Sequence, residues 1–230
     1  MALFSPGPLV SQVSGSIGGQ VFSHNRGGQY IRQRSTPTAV YTDPALEAKN
    51  RLATMSLRWG GLTTAQRLAW KTYASENPTI NRIGRSTTLS GIAIHNRINS
   101  IINKAAGTLL DLPPIDAPPD ALLTLTATGD IGAGTSELAF TATPLGAGHC
   151  LWVEAALVDS PGIAYVENLY KLIHVSAAAL ASPYDWLADA TLRFGTPQVG
   201  QVLHVKVRVV DQDTGLLSGA LTDVVTLTTT

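Results

Sequence analysis

Residues 111–120 read Asp-Leu-Pro-Pro-Ile-Asp-Ala-Pro-Pro-Asp, and the pattern of apolar residues changes on either side of them. Four prolines in ten residues disfavour a helix and favour a stiff, extended connection. Upstream, apolar residues recur with helical spacing; downstream, they alternate with a period of two. The sequence therefore predicts an α+β protein, with a helical region at 37–110, a proline-rich linker at 111–120 and a β-domain at 121–230.

Three helices are predicted upstream of the linker. Asp43-Pro44 is a typical helix start, Thr63 with Gln66 forms a capping box for the second helix, and Ser90 can cap the third. Apolar residues of the third helix fall on one face. The side chains predicted to pack these helices together are Trp59, Trp70, Tyr73, Ile94, Ile98 and Ile101.

About seven short strands are predicted downstream. Alternating runs begin at Leu123, Leu138, Leu151 and Val205, and further candidate strands cover 168–176, 190–195 and 223–229. Short strands separated by Gly, Pro, Asp and Ser clusters are typical of an antiparallel β-sandwich of immunoglobulin or fibronectin type III character. The strand topology is left open by the sequence.

Residues 1–36 are predicted to form an extended arm with a β-hairpin over Gly15–Arg34, turning at Asn25–Gly28. A two-stranded ribbon cannot bury both faces or pair both edges alone. We therefore expect a neighbouring subunit, or the helices that follow, to complete this arm. Its predicted partner-binding residues are Ile17, Gly18, Gly19, Val21, Phe22, Arg26, Gly27, Gly28, Tyr30, Arg32 and Arg34.

The net charge of zero conceals a separation of charge along the chain. Residues 1–112 hold twelve Lys and Arg against four Asp and Glu, a net of +8, and the remainder carries −8. A basic region joined to an acidic one predicts that the first faces an acidic protein surface or nucleic acid. Packing of basic against acidic parts between copies is the alternative.

No catalytic or metal-binding motif emerges from the sequence, so we expect neither enzymatic activity nor a cofactor. The motif G-x-S-x-G is absent, and the glycines at 15–19 lack the Lys-Ser or Lys-Thr of a phosphate loop. His149-Cys150 favours a turn histidine and a buried cysteine, and Asp211–Gly215 favours a turn over a calcium loop. Residues 1–10 have no basic start, and no run of about 18 apolar residues occurs, so neither secretion nor membrane insertion is predicted.

Several motifs in the same order resemble those of uncharacterised proteins from tailed-phage and prophage genomes. They are Gly15–Arg34 with Thr36-Pro37-Thr38, Trp59 with Leu62-Thr63 and Gln66–Trp70, Leu89-Ser90-Gly91 before a helix with Asn96 and Asn99, and the segments 161–173 and 200–210. The resemblance covers most of the chain and implies a virion-associated protein with no catalytic residues.

The function expected from these features is a structural protein of a bacteriophage virion, assembled in the host cytoplasm. We expect a capsid decoration or cement protein, a minor head protein that binds the major capsid protein or other virion proteins and forms homo-oligomers. A neck or tail component is the first alternative. The second alternative is a nucleic-acid-binding protein inside the particle. In that case the basic helices and the arm residues would contact the phosphates of the nucleic acid, the arm residues being Arg26, Arg32 and Arg34.

Overall fold

The computed structural model divides the chain into two compact units, 1–46 and 47–230. It describes residues 2–3, 7–10, 12–25, 28–35, 42–80, 86–132, 136–143, 145–163 and 165–229. Within them lie four helices and several antiparallel sheets, so the protein is of mixed α and β structure.

The first unit contains a four-stranded antiparallel sheet. Its strands are β1 (Ala2–Leu3), β2 (Gly15–Ile17), β3 (Gln20–Asn25) and β4 (Gly28–Gln33), in the order β1-β4-β3-β2. The predicted hairpin is present, because β3 pairs with β4 and Phe22 lies opposite Ile31. The prediction of a ribbon with only two strands is wrong. Gly18 has a left-handed φ of 57° and folds Gly15–Ile17 back onto β3 as a third strand, while β1 adds a fourth.

Three helices follow and begin at their predicted starts: α1 (Asp43–Gly61), α2 (Thr64–Glu76) and α3 (Gly91–Lys104). Thr63 and Gln66 form the predicted capping box, and the Ser90 side chain accepts a hydrogen bond from the Ala93 N–H. A short hairpin of β5 (Thr79–Ile80) and β6 (Ser86–Thr87) lies between α2 and α3 in the chain.

Two further antiparallel sheets are formed by β7 (Thr124–Ala127), β8 (Glu137–Thr141), β9 (His149–Val158), β10 (Lys171–Val175), β11 (Tyr184–Asp185), β12 (Val202–Asp211) and β13 (Leu221–Thr226). Their orders are β10-β9-β12-β13 and β11-β8-β7. Phe140 of β8, Val153 of β9 and Val207 of β12 belong to one buried cluster, so both sheets contribute to the main core.

The predicted strand at 190–195 is wrong, because Leu187–Phe194 forms a helix, α4. Leu187, Ala190 and Phe194 all pack against the main core, and their spacing of three and four residues is helical. Gly195, with a left-handed φ of 88°, follows the helix. The short run Ala190–Phe194 by itself does not reveal this period.

The proline-rich segment packs against the helices. Trp70 of α2 donates its indole N–H to the Asp111 carbonyl at 2.9 Å, and Pro114 is buried. Leu216, from the turn after β12, also packs against the helical cluster. Residues 47–230 thus form one compact unit that holds helices and both larger sheets. The division into a helical region at 37–110 and a β-domain at 121–230 stays a prediction.

Candidate functional site

The N-terminal sheet has no core of its own. None of the residues 7–10, 12–24, 29–35 and 42–46 is buried, and the side chain of Ile17 is 73% exposed. Directly opposed residues share a face of a sheet. Phe22 and Ile31 therefore lie on one face, and Val21 and Tyr30 lie on the other. Because both faces carry half-buried apolar side chains, this sheet is incompletely covered on each side.

Most of the remaining predicted arm residues lie at the turns and on or just after the inner strand β4. Gly18 and Gly19 form the turn between β2 and β3, and Arg32 is exposed on β4. The backbone N–H of Arg34 donates to the Gly19 carbonyl at 2.8 Å, which ties the end of β4 to that turn. Gly28 opens β4, whereas Arg26 and Gly27 lie outside the described residues.

The six predicted helix-packing residues fall into two clusters. Trp70, Ile94 and Ile98 are buried in the cluster between α2 and α3, and Trp59 and Tyr73 pack against it. Ile101 packs against a separate cluster of Ala105, Cys150, Trp152 and Val210, which joins α3 to the larger sheet.

His95 was not predicted to belong to this core, yet it is fully buried among these aromatic side chains. Its ring lies edge-on to Trp59 and Trp70, with centroid distances of 5.3 and 5.2 Å. Burial lowers the pKa of His95, and Arg58 lowers it further, against the opposing effects of Asn96 and Asp111. The Nε2 atom has no hydrogen-bond partner among the residues that the structure describes. The sequence signal that could have predicted its burial was spacing, because Gly91, His95 and Asn99 lie four residues apart and so share one face of the helix. All three are buried.

Several cations of the basic helices already have partners within the chain. Arg67 donates to the Trp59 and Gly60 carbonyls at the end of α1, at 3.2 and 2.6 Å. Arg58 pairs with Asp111 at 2.8 Å, and Arg51 pairs with Glu47 at the same distance. These contacts stabilise helix ends and leave fewer cations for phosphate binding.

A polar cluster that no sequence pattern revealed joins β10, β11 and α4. His174 Nδ1 lies 3.0 Å from Asp189 Oδ2, which also accepts a hydrogen bond from the Tyr184 hydroxyl, and the His174 and Tyr184 rings stack at 4.8 Å. Burial raises the pKa of Tyr184, and its hydrogen bond to Asp189 raises it further. Within the described residues, no Ser, Thr or Cys side chain is hydrogen-bonded to His174. These contacts fasten α4 to the strands.

The two weak metal motifs are structural elements. Asp211 opens a turn in which its carboxylate accepts from the Asp213 N–H at 2.9 Å and from the Thr214 hydroxyl at 2.8 Å. Cys150 is buried on β9, and burial raises the pKa of its thiol, with the Asp211 carboxylate as the second cause. His149 closes the turn over residues 146–149, where its N–H donates to the Gly146 carbonyl at 3.0 Å, and it begins β9. Among the described residues there is no group of three or more His, Cys, Asp and Glu that could hold a metal ion.

A groove of about 970 Å³ runs between α2 and residues 113–118; we call it the α2–proline groove. Its lining is mainly apolar and includes Leu68, Tyr73, Ile115 and Leu216. Ile115 is 99% exposed and Leu68 is 61% exposed, so these side chains stand open to a partner. The two charged lining residues are Glu76 and Asp116.

Comparison of the chain with protein-family models, with curated proteins and with solved structures finds no match. None of the helices among the described residues is both long enough and apolar enough to cross a membrane.

Proposed function

We propose that this chain is a structural protein of a tailed-bacteriophage particle, a capsid decoration or cement protein that binds the shell through its basic N-terminal region. The observation that carries the proposal is the N-terminal sheet, which has half-buried apolar side chains on both faces and no buried residue over 12–24 and 29–35. The order of motifs that resembles phage and prophage proteins supplies the biological setting.

Docking of this sheet would bury the apolar surface that stays accessible in a single chain. Because Phe22 and Ile31 are half-buried, covering the rest of each side chain stabilises by only part of the roughly 1.5–3 kcal/mol of full burial, before the cost of association. Exposed edge strands can also accept backbone hydrogen bonds from a neighbouring strand. On a symmetric shell many such contacts act together, which makes weak individual contacts durable.

For the β-region we infer an immunoglobulin-like sandwich that projects from the shell. Support comes from two antiparallel sheets that share one core, and from the hydrogen bond that the Ala127 N–H donates to the Asp223 carboxylate between β7 and β13 at 2.7 Å. A projecting role for such a domain rests on analogy of fold. The acidic charge of residues 113–230 is consistent with the outward position of this region, away from a basic docking surface.

The proposal is tested on particles of a phage that encodes this chain. The double variant Phe22→Ser/Ile31→Ser removes one apolar cross-strand pair, and Gln20→Ser/Gln33→Ser is the matched control, because Gln20 and Gln33 also lie opposite each other in β3 and β4. Quantitative mass spectrometry of purified particles should show loss of the first variant and retention of the control.

Retention of the apolar-pair variant at the wild-type level, or absence of the wild-type chain from particles, would overturn the proposal. Cryo-electron microscopy of the same particles should locate the chain on the shell. Density confined to the neck or tail would replace the decoration role with that alternative. Steeply salt-dependent binding of purified chain to duplex DNA at physiological salt would favour the DNA-binding alternative.

A further inference from the structure

The α2–proline groove has the chemistry of a site for an apolar segment that carries positive charge. Its lining is apolar apart from a few polar groups, and its volume lies at the upper end of the roughly 300–1,000 Å³ of typical ligand pockets. Glu76 and Asp116 make no ion pair with any described residue. An occupant that filled the groove with apolar groups alone would leave two carboxylates near its surface without a counter-charge.

The chain itself contains a segment with the complementary properties. In β4, Tyr30 is a half-buried apolar residue on the same face of the sheet as the exposed Arg32, and the exposed Arg34 follows the strand. Neither arginine forms an ion pair with a described residue. Residues 1–46 carry three arginines against one aspartate, whereas residues 113–230 carry a net −8.

We propose that the α2–proline groove of one copy binds the N-terminal sheet of a second copy, with Arg32 and Arg34 near Glu76 and Asp116. A second copy is the occupant we infer, because Arg32 and Arg34 of its sheet supply the positive charge that Glu76 and Asp116 of the groove lack. Such a contact joins two different surfaces and is head-to-tail, which produces rings or extended arrays. The proposal rests on the proposed function only in assigning the N-terminal sheet to assembly. The two faces of the sheet allow one to contact the shell and the other to contact a neighbouring copy.

The test uses purified full-length chain and sedimentation velocity over a range of concentrations. Wild-type chain should form larger species as concentration rises, and added salt should weaken this association. The groove variant Glu76→Arg/Asp116→Arg and the sheet variant Arg32→Glu/Arg34→Glu should each raise the apparent dissociation constant about tenfold or more, because each places like charges together. Mixing the two variants should restore association, since the reversed groove then meets the reversed sheet.

The matched control is Asp120→Arg/Glu137→Arg, which changes the net charge equally at two exposed carboxylates outside the groove lining. It should associate as the wild type does, and circular dichroism should show native folding for every variant. Wild-type chain that stays monomeric at all concentrations would overturn the inference, and so would association to which the groove and sheet variants make no difference. The inference would also be overturned if mixing the groove variant with the sheet variant did not restore association. Particle binding is measured separately, so a monomeric chain that still binds particles would refute only this inference.

Discussion

Replacing Gly215 with alanine tests whether the turn after β12 packs directly on α3. Gly215 has a left-handed φ of 66°. A Cβ atom there would lie 2.7 Å from Ile102 Cγ1 and 2.8 Å from the Ile98 carbonyl oxygen. Backbone at Ile98 cannot move freely, because it lies within a helix.

Gly200 supplies the matched control, because it also has a left-handed φ, 87°, but a Cβ there meets nothing within 4 Å. A left-handed conformation costs an alanine about 1–2 kcal/mol, and this cost is common to both variants. Overpacking adds about 1–3 kcal/mol at Gly215 alone. The free energy of unfolding should therefore fall by about 1–3 kcal/mol more in Gly215→Ala than in Gly200→Ala.

Urea denaturation followed by tryptophan fluorescence measures this difference. Trp70 lies in the helical cluster and Trp186 lies in the main core, so the signal reports on both parts of the unit. Equal destabilisation by the two substitutions would refute the packing of this turn on α3.

Three other predictions concern buried polar groups. Because burial lowers the pKa of His95, the unfolded chain binds a proton at this residue more readily than the folded chain does. The free energy of unfolding should therefore be retained above about pH 6.5 and fall as the pH drops below that value. His95→Phe should flatten this decline in urea titrations at several pH values, and His24→Gln, at an exposed histidine, should leave the decline unchanged. Trp70→Phe removes the indole hydrogen bond to the proline-rich segment and also reduces the volume of the buried ring. Calorimetry should show that the free energy of unfolding falls by about 1–3 kcal/mol. An unchanged melting temperature would contradict that contact. Asp223→Ala removes the acceptor of the Ala127 N–H and should cost about 1–2 kcal/mol in urea denaturation, whereas no loss would argue against this link between the sheets.

Local signals allowed most helices and strands to be predicted. The capping box at Thr63, the serine cap at Ser90 and the alternation along β12 each depend on residues close together in sequence, and each is present. The strand predicted at 190–195 failed because six residues are too few to separate helical from strand spacing. The helix becomes recognisable only when Leu187 is included with Ala190 and Phe194.

Contacts between distant segments could not be predicted in the same way. The prolines at 113–118 correctly excluded regular structure, but nothing in their sequence indicated that Asp111 accepts a hydrogen bond from Trp70. Likewise, His174, Tyr184 and Asp189 come together only through the arrangement of two strands and a helix. The extra strands of the N-terminal sheet were missed because β2 is three residues long and β1 is two.

Hydrogen–deuterium exchange of the N-terminal sheet, compared between free chain and purified particles, tests most directly whether a partner completes it. Peptides covering 12–25 and 28–35 should exchange rapidly in the free chain relative to β9 and β12, and they should slow markedly on particles. The account would be contradicted if these peptides were already as protected as β9 and β12 in the free chain and showed no change on assembly.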